Sequence, residues 1–291
     1  MENMEINGVE TAEARRYDTL ALSPEVMGAL QNKGYEVATP IQSGCIPFLM
    51  DDRDVVAKAP TGTGKTYAFG IPIVEHTDPE GTDVTSLILA PTRELALQIR
   101  DDLRELAALK KGVRVICLYG GQPIDKQVNQ LKKKPQIVVA TPGRLMDHKK
   151  RRTIRLDKVQ TVILDEADRM LDMGFLPDVR RITGKLPQDR QTMLFSATMP
   201  PEIAQLAQKL LHNPVEINVS PVSRPVELIA QRVYLVDKGN KSKLLAHLIH
   251  TLPIPQALVF VRTKHGADRV ARHLNREGIT AQAEDGMRAQ R

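Results

Sequence analysis

The chain has no tryptophan, 3% aromatic residues and two cysteines among its 291 residues. So few rings leave little material for a surface that grips single strands by stacking their bases. Two isolated thiols, Cys45 and Cys117, supply neither a zinc site nor a disulfide framework, and their apolar surroundings read as reduced core positions. No apolar run is long enough to cross a bilayer. Met1 to Glu13 is acidic and polar, lacking the basic flank and apolar centre of a secretory signal, so the sequence reads as cytoplasmic. Among seven histidines, the pair at ligand spacing is His247 and His250, with no acidic or cysteine partner nearby, which gives metal chemistry there little support.

What is present describes an ordinary globular chain, 42% hydrophobic and 26% charged, with length for one large or two medium domains. A net charge of +6 favours a polyanionic partner without proving one. The densest cationic runs are Lys132-Lys133-Lys134 and Lys149-Lys150-Arg151-Arg152, and such runs are ordinarily solvated faces.

Short β-rich runs alternate with helix-patterned stretches, the sign of a parallel sheet covered on both faces. The pattern predicts strands at Asp54–Lys58, Ser86–Ala90, Arg114–Tyr119, Gln136–Ala140, Thr161–Leu164, Thr192–Phe195 and Val215–Val219. Apolar residues at helical spacing predict helices over Arg93–Leu109 and Glu202–Leu211, the second opened by Pro200 and Pro201 and ended by Pro214. The stretch Ser220–Pro225, SPVSRP, reads as a linker, which divides the chain into domains 1–219 and 229–291 joined by 220–228. A second alternation follows, with strands Ile229–Val236, Ala257–Val261 and Thr280–Ala283 and helices Lys241–Leu252 and Lys264–Glu277. Its roughly 60 residues fall short of the ~100 of a doubly wound domain, so this domain reads as incomplete.

After the first strand, Ala59-Pro60-Thr61-Gly62-Thr63-Gly64-Lys65-Thr66 places a glycine-containing loop before a helix start, as a P-loop requires. Gly62 and Gly64 let backbone N–H groups curl around phosphate oxygens. Lys65 can reach the β and γ phosphates, and Thr66 can ligate Mg²⁺. A hundred residues on, strand Val162-Ile163-Leu164 runs into Asp165-Glu166-Ala167-Asp168, at the strand end where open α/β sheets bind ligands. Asp165 suits a Mg²⁺ ligand and Glu166 a base that orients the attacking water. Alone, those carboxylates equally suit a helix N-terminus.

Taken in order, these motifs resemble the DEAD-box RNA helicases across nearly all of the chain. The resemblance implies an α/β architecture: a RecA-like P-loop NTPase domain with a parallel sheet and helices on both faces, followed by a partial second RecA-like domain. Gly34-Tyr35-Glu36-Val37-Ala38-Thr39-Pro40-Ile41-Gln42 is similar to the family's Q motif (about 15–43), in which Gln42 would read adenine and Tyr17, usually Phe in the family, would stack on it. A glutamine amide matches adenine N6 and N7 in a bidentate pair. Pro91-Thr92-Arg93-Glu94-Leu95-Ala96, Gly120-Gly121, Thr141-Pro142-Gly143-Arg144 and Val259-Phe260-Val261-Arg262-Thr263 resemble the RNA-facing motifs. The first three follow strands, where N–H groups can meet phosphates. Ser196-Ala197-Thr198 resembles the motif coupling hydrolysis to strand separation. The implied cofactors are ATP and Mg²⁺. The implied partner is RNA, engaged mainly through its phosphate backbone, with no membrane association and a monomeric protein.

The sequence also departs from the family pattern. The motif with arginine fingers, and the one before it that touches ATP and RNA, are not found. Gly286-Met287-Arg288-Ala289-Gln290-Arg291 resembles the beginning of a further motif, with Asp285 where the family has His, and a fragmentary gene or truncated reading frame would explain it. Two other readings stay open: a non-catalytic ATP- and RNA-binding module, and a P-loop NTPase for transport or DNA work, against which Gln42, PTRELA and DEAD argue.

Overall fold

The computed structural model describes residues 8–10, 14–219 and 232–283. It divides into two compact units, Met1–Arg224 and Pro225–Arg291. The predicted linker 220–228 and the segment Gly286–Arg291 lie outside the described residues.

In the first unit eight strands form one sheet: β1 (Gly8–Glu10), β2 (Val55–Lys58), β3 (Ser86–Leu89), β4 (Val115–Leu118), β5 (Ile137–Ala140), β6 (Thr161–Leu164), β7 (Gln191–Ser196) and β8 (Val215–Asn218). Their order is β1-β8-β2-β7-β6-β3-β5-β4, and every pairing is parallel. The helices are α1 (Pro24–Asn32), α2 (Pro40–Met50), α3 (Lys65–His76), α4 (Arg93–Leu106), α5 (Ile124–Leu131), α6 (Pro142–Lys150), α7 (Ala167–Asp172), α8 (Leu176–Thr183) and α9 (Pro201–Leu210).

The strands are aliphatic runs buried on both sides because helices cover both faces. Successive residues point to opposite faces, so Ile88, Ile163 and Phe195 join one core with Ile41, Phe69 and Ile99. Leu87, Leu164 and Leu194 join the other with Leu145, Val179 and Ile203. All seven predicted strands of this unit form, displaced by a residue at most. β1, three residues long and paired with β8, is too short to show an alternation in the sequence.

The second unit contains α10 (Lys241–Thr251) and α11 (Lys264–Arg276), as predicted. Its predicted strands do not form among the described residues: 232–236, 257–261 and 280–283 belong to no ladder, and 229–231 lie outside them. A strand exists through its neighbour, and here no neighbouring strand is described. Leu235 is 98% and Phe260 87% exposed, where a paired strand under a helix would hide them. Backbone so presented is open to proteases. Limited chymotrypsin digestion is expected to cut at Tyr234, Leu235, Leu258 or Phe260 well before any site in 14–219. Early cleavage inside the sheet would contradict this.

Candidate functional site

The loop from β2 to α3 is shaped by two glycines with left-handed backbone, Gly62 at φ +84° and Gly64 at φ +94°. A Cβ on Gly64 would stand 2.6 Å from Gln42 Nε2, so that position excludes side chains twice over. The loop is tied down at both ends. Ala59 N–H donates to Ser196 O (3.0 Å), Thr63 Oγ1 to Pro60 O (2.9 Å) and Thr39 Oγ1 to Thr63 O (2.8 Å). Lys65 opens α3 with its side chain buried, Nζ 3.3 Å from Ala59 O and 4.0 Å from Asp165 Oδ1.

Asp165 directly follows β6, and Glu166 comes next in left-handed conformation (φ 49°, ψ 54°) as the residue before α7. That costly geometry turns Glu166 toward the loop, where its Oε1 accepts from Thr61 Oγ1 at 3.1 Å. Burial pushes the Asp165 carboxyl up to about 6; Lys65 opposes the rise and the Glu166 carboxylate adds to it. The sequence reading missed Asp168. Its Oδ2 accepts from Thr198 N–H and Oγ1, each 2.8 Å, while its own N–H donates to Ser196 Oγ (3.1 Å). Burial raises the Asp168 carboxyl, but the hydrogen bonds from Thr198 and Ser196 outweigh it and leave it below the usual range. Asp168 thus joins the β6 and β7 motifs, and its signal was the fourth letter of DEAD.

Gln42 sits in the first turn of α2 with every polar atom engaged. Its Oε1 accepts from Tyr17 O–H (2.6 Å) and Thr39 N–H (2.8 Å), and its Nε2 donates to Gly64 O (3.0 Å). Tyr17, expected as a stacking ring, is 2% exposed and commits its hydroxyl to Gln42. Burial pushes the Asp102 carboxyl of α4 above its usual range, and the nearby Thr66 hydroxyl opposes the rise.

The remaining predicted residues of the first unit lie at the carboxyl ends of β3, β5 and β4, three adjacent strands. Thr92 caps α4, accepting from Leu95 N–H at 3.2 Å. Arg93 stacks over Tyr119, its guanidinium carbon 5.0 Å from the ring centre, and reaches the Gly120-Gly121 turn, where Gly121 has φ +87°. Thr141 precedes α6, with Pro142 at its first position and Gly143 and Arg144 following. Thr263 lies in the second unit, where its hydroxyl caps α11 by accepting from Gly266 N–H. The sequence also missed a buried chain behind these loops: His148 Nε2 meets Gln127 Oε1 (2.9 Å), and Gln127 Nε2 donates to Tyr119 O and Gln122 Oε1.

Among the described residues no helix is long and apolar enough to cross a membrane. Residues 39–206 match the family model described as DEAD/DEAH box helicase. The chain is 44% identical over 270 residues to the DEAD-box ATP-dependent RNA helicase CshA of Geobacillus kaustophilus, covering 93% of this chain and 58% of that protein. It is 43% identical over 265 residues to CshA of Bacillus subtilis, covering 91% and 53%. It thus spans little more than half the length of these relatives. A DEAD box protein from the hyperthermophile Methanococcus jannaschii, solved by crystallography, superposes with a TM-score of 0.69 at 37% identity, covering 94% of this chain and 73% of that one. With a family model matched over more than half its length, and that model's fold and motifs in place, the chain belongs to the DEAD/DEAH box helicase family.

Proposed function

We propose that this chain is part of an ATP-dependent RNA helicase that couples ATP binding and hydrolysis to local opening or remodelling of RNA duplexes. Residues 1–219 act as the ATP-binding domain, 220–228 as linker and 229–291 as part of a second helicase domain. The observation that carries the reading is how the sheet's carboxyl edge is shared out. β2, β7 and β6 stand side by side and carry the P-loop, Ser196 and Asp165. β3, β5 and β4 stand beside them and carry Arg93, Arg144 and the Gly120-Gly121 turn. One half suits a nucleotide triphosphate and the other a phosphate backbone, and β6 and β3 are paired.

In this reading the P-loop amides and Lys65 hold the phosphates, Gln42 and Tyr17 serve the adenine end, and Glu166 positions the water for in-line attack. The donor set fits a hard cation, since Asp165 offers a buried carboxylate opposite Lys65 and Thr66 a hydroxyl. Bound there, Mg²⁺ would neutralise charge building on the phosphate oxygens. Asp168 carries the state of the site to Ser196 and Thr198. The two buried, unpaired cysteines are compatible with a cytoplasmic setting. RNA-stimulated phosphate release, measured with a protein extended to the length of the relatives, tests the whole. Absence of stimulation there would leave the non-catalytic binding module as the better reading.

Gln42→Ala is expected to erode discrimination of ATP over GTP by roughly 1–3 kcal/mol, the usual worth of a bidentate base contact, which Gln42 makes once its Oε1 releases Tyr17 or Thr39. Competition titrations read this out. If GTP already competes as well as ATP with the unaltered chain, Gln42 does not read the base.

The Asp165 carboxyl near 6 sets a pH dependence. Only its ionised form holds a cation, so Mg²⁺-dependent nucleotide binding should weaken by about tenfold per pH unit below that value. Stability moves the other way through this residue: a raised folded-state pKa makes the ionised form costly at neutral pH, and the cost is relieved as pH falls through 6. Calorimetric titrations between pH 5 and 7 check it. A Mg²⁺ affinity flat across that range would remove Asp165 from the metal site.

A further inference from the structure

The run Lys149–Arg152 reads as a solvated face from sequence, and the structure departs from that at its first residue. Lys149 Nζ is buried and has no hydrogen-bond partner. It lies at a cavity of about 180 Å³ between the last turns of α6 and α8, lined by Met146, Lys149, Lys150, Arg181 and Lys185. Three lysines, an arginine and a methionine form its walls, largely through their apolar stems, and no carboxylate is among the described residues that line it. Arg181 Nη1 at its edge lies 3.5 Å from Asp178 Oδ1.

Basic residues often gather at helix ends to serve unpaired carbonyls. That account fails for Lys149. The Arg151 amide already donates to the carbonyls of Asp147 and Lys149, the Gly184 amide to those of Arg180 and Ile182, and Lys149 Nζ reaches none. A buried ammonium without acceptors is a costly arrangement that a bound anion would relieve. Burial and then the nearby Lys185 hold the Lys149 ammonium below its usual range. An anion among them would reverse the second effect and offset the first.

We propose that this cavity binds a phosphoryl oxyanion, at a site separate from the P-loop and from the loops at the sheet's carboxyl edge. Each lining cation has a role in that assignment. The Lys149 side chain would turn its unpartnered ammonium into the space, the flat fork of Arg181 offers paired N–H groups at the rim, and Lys150 and Lys185 supply charge. The space equals roughly six water volumes, enough for a phosphate group with a water or two and too little for a nucleoside. A free phosphate fits it, and so does one phosphate of an RNA strand. α6 begins at Thr141–Arg144 and ends at this cavity, about 12 Å further along its axis at the helical rise per residue. The proposal does not depend on hydrolysis or on the assigned roles of the P-loop.

Inorganic phosphate is the first probe, added to the 291-residue chain at constant ionic strength against chloride, with backbone amides followed by two-dimensional NMR. A saturable shift is expected at Met146–Arg151 and Arg181–Lys185. Lys149→Met, which keeps the apolar stem, should abolish it while P-loop amides respond as before. Lys185→Gln, at the exposed rim, should weaken it several-fold and carries the test if Lys149→Met does not fold. Chloride reproducing the shifts, or an unaltered response in the folded variants, would overturn the site. The second probe is a single-stranded RNA oligonucleotide titrated across salt concentrations. Loss of about one unit from the slope of log K against log salt in Lys149→Met assigns the phosphate to the RNA backbone. An unchanged slope with the phosphate response present assigns it to the free ion.

Discussion

In a protein extended to the length of the relatives, Lys65→Ala is expected to cut nucleotide affinity and to reduce hydrolysis below detection, whereas Glu166→Gln should leave affinity within a few-fold and suppress hydrolysis alone. In the proposed reading both side chains serve one phosphate site, and they differ in what they contact. Lys65 is the buried cation of the P-loop, held between Ala59 O and Asp165. Removing it deletes charge-assisted contacts of about 1.5–3 kcal/mol in the bound state, and the isolated carboxylate of Asp165 then repels phosphate. In the transition state the loss grows, since a single preorganised donor is worth about 10² to 10³ in rate. Glu166 bonds to Thr61 and pairs with Arg169 without engaging the main chain of the phosphate loop. Glutamine preserves its shape and the Thr61 contact but is a far weaker base, a loss of about 10² to 10⁴ in rate. Fluorescent-nucleotide titrations and single-turnover hydrolysis separate the two effects. Equal loss of affinity in both variants would refute the division of labour.

The first unit was legible because its strands are short aliphatic runs bounded by turn residues, and because the motifs sit at strand ends where spacing and chemistry reinforce each other. Ser86–Leu89 and Thr161–Leu164 could hardly be other than buried parallel strands. The misses have two physical causes. Contacts between side chains distant in sequence leave no local period: nothing near Asp168 announces Ser196 and Thr198, and nothing near His148 announces Gln127. Tyr17 is the same case, since nothing near it in the sequence announces that its hydroxyl bonds to Gln42. The second cause is that strand propensity is half a strand. Val233, Leu235, Leu258 and Phe260 carry the pattern, but without a described neighbour to complete the ladder they remain exposed, whereas α10 and α11 form because helices satisfy their own backbone. Charge runs were the least legible, because burial of one ammonium among four basic residues is set by how α8 packs beside α6.

A polypeptide limited to these 291 residues is expected to bind adenine nucleotide and RNA weakly, to hydrolyse ATP at a slow basal rate with little stimulation by RNA, and to open no duplex. The first unit presents Lys65, Asp165 and Glu166 in one arrangement, so phosphate binding has its groups. What the family resemblance adds for fast chemistry, arginines that reach the γ-phosphate, is not matched by any segment of this sequence. Such an arginine is worth roughly 10³ to 10⁵ in rate, because it neutralises charge that builds only in the transition state. The loss should therefore fall on turnover and leave nucleotide affinity comparatively intact. RNA binding should weaken steeply with salt, since the groups on β3, β5 and β4 are amides and guanidinium ions suited to phosphate. Adding the remaining length of the relatives should restore RNA-stimulated turnover by several orders of magnitude without changing Gln42-dependent base selectivity. Phosphate-release assays on the short and extended proteins, at several chain concentrations, decide the matter. Full RNA-stimulated turnover by the short chain, first order in protein, would show that these residues contain their own transition-state cation. The same activity rising with the square of protein concentration would place that cation on a second copy.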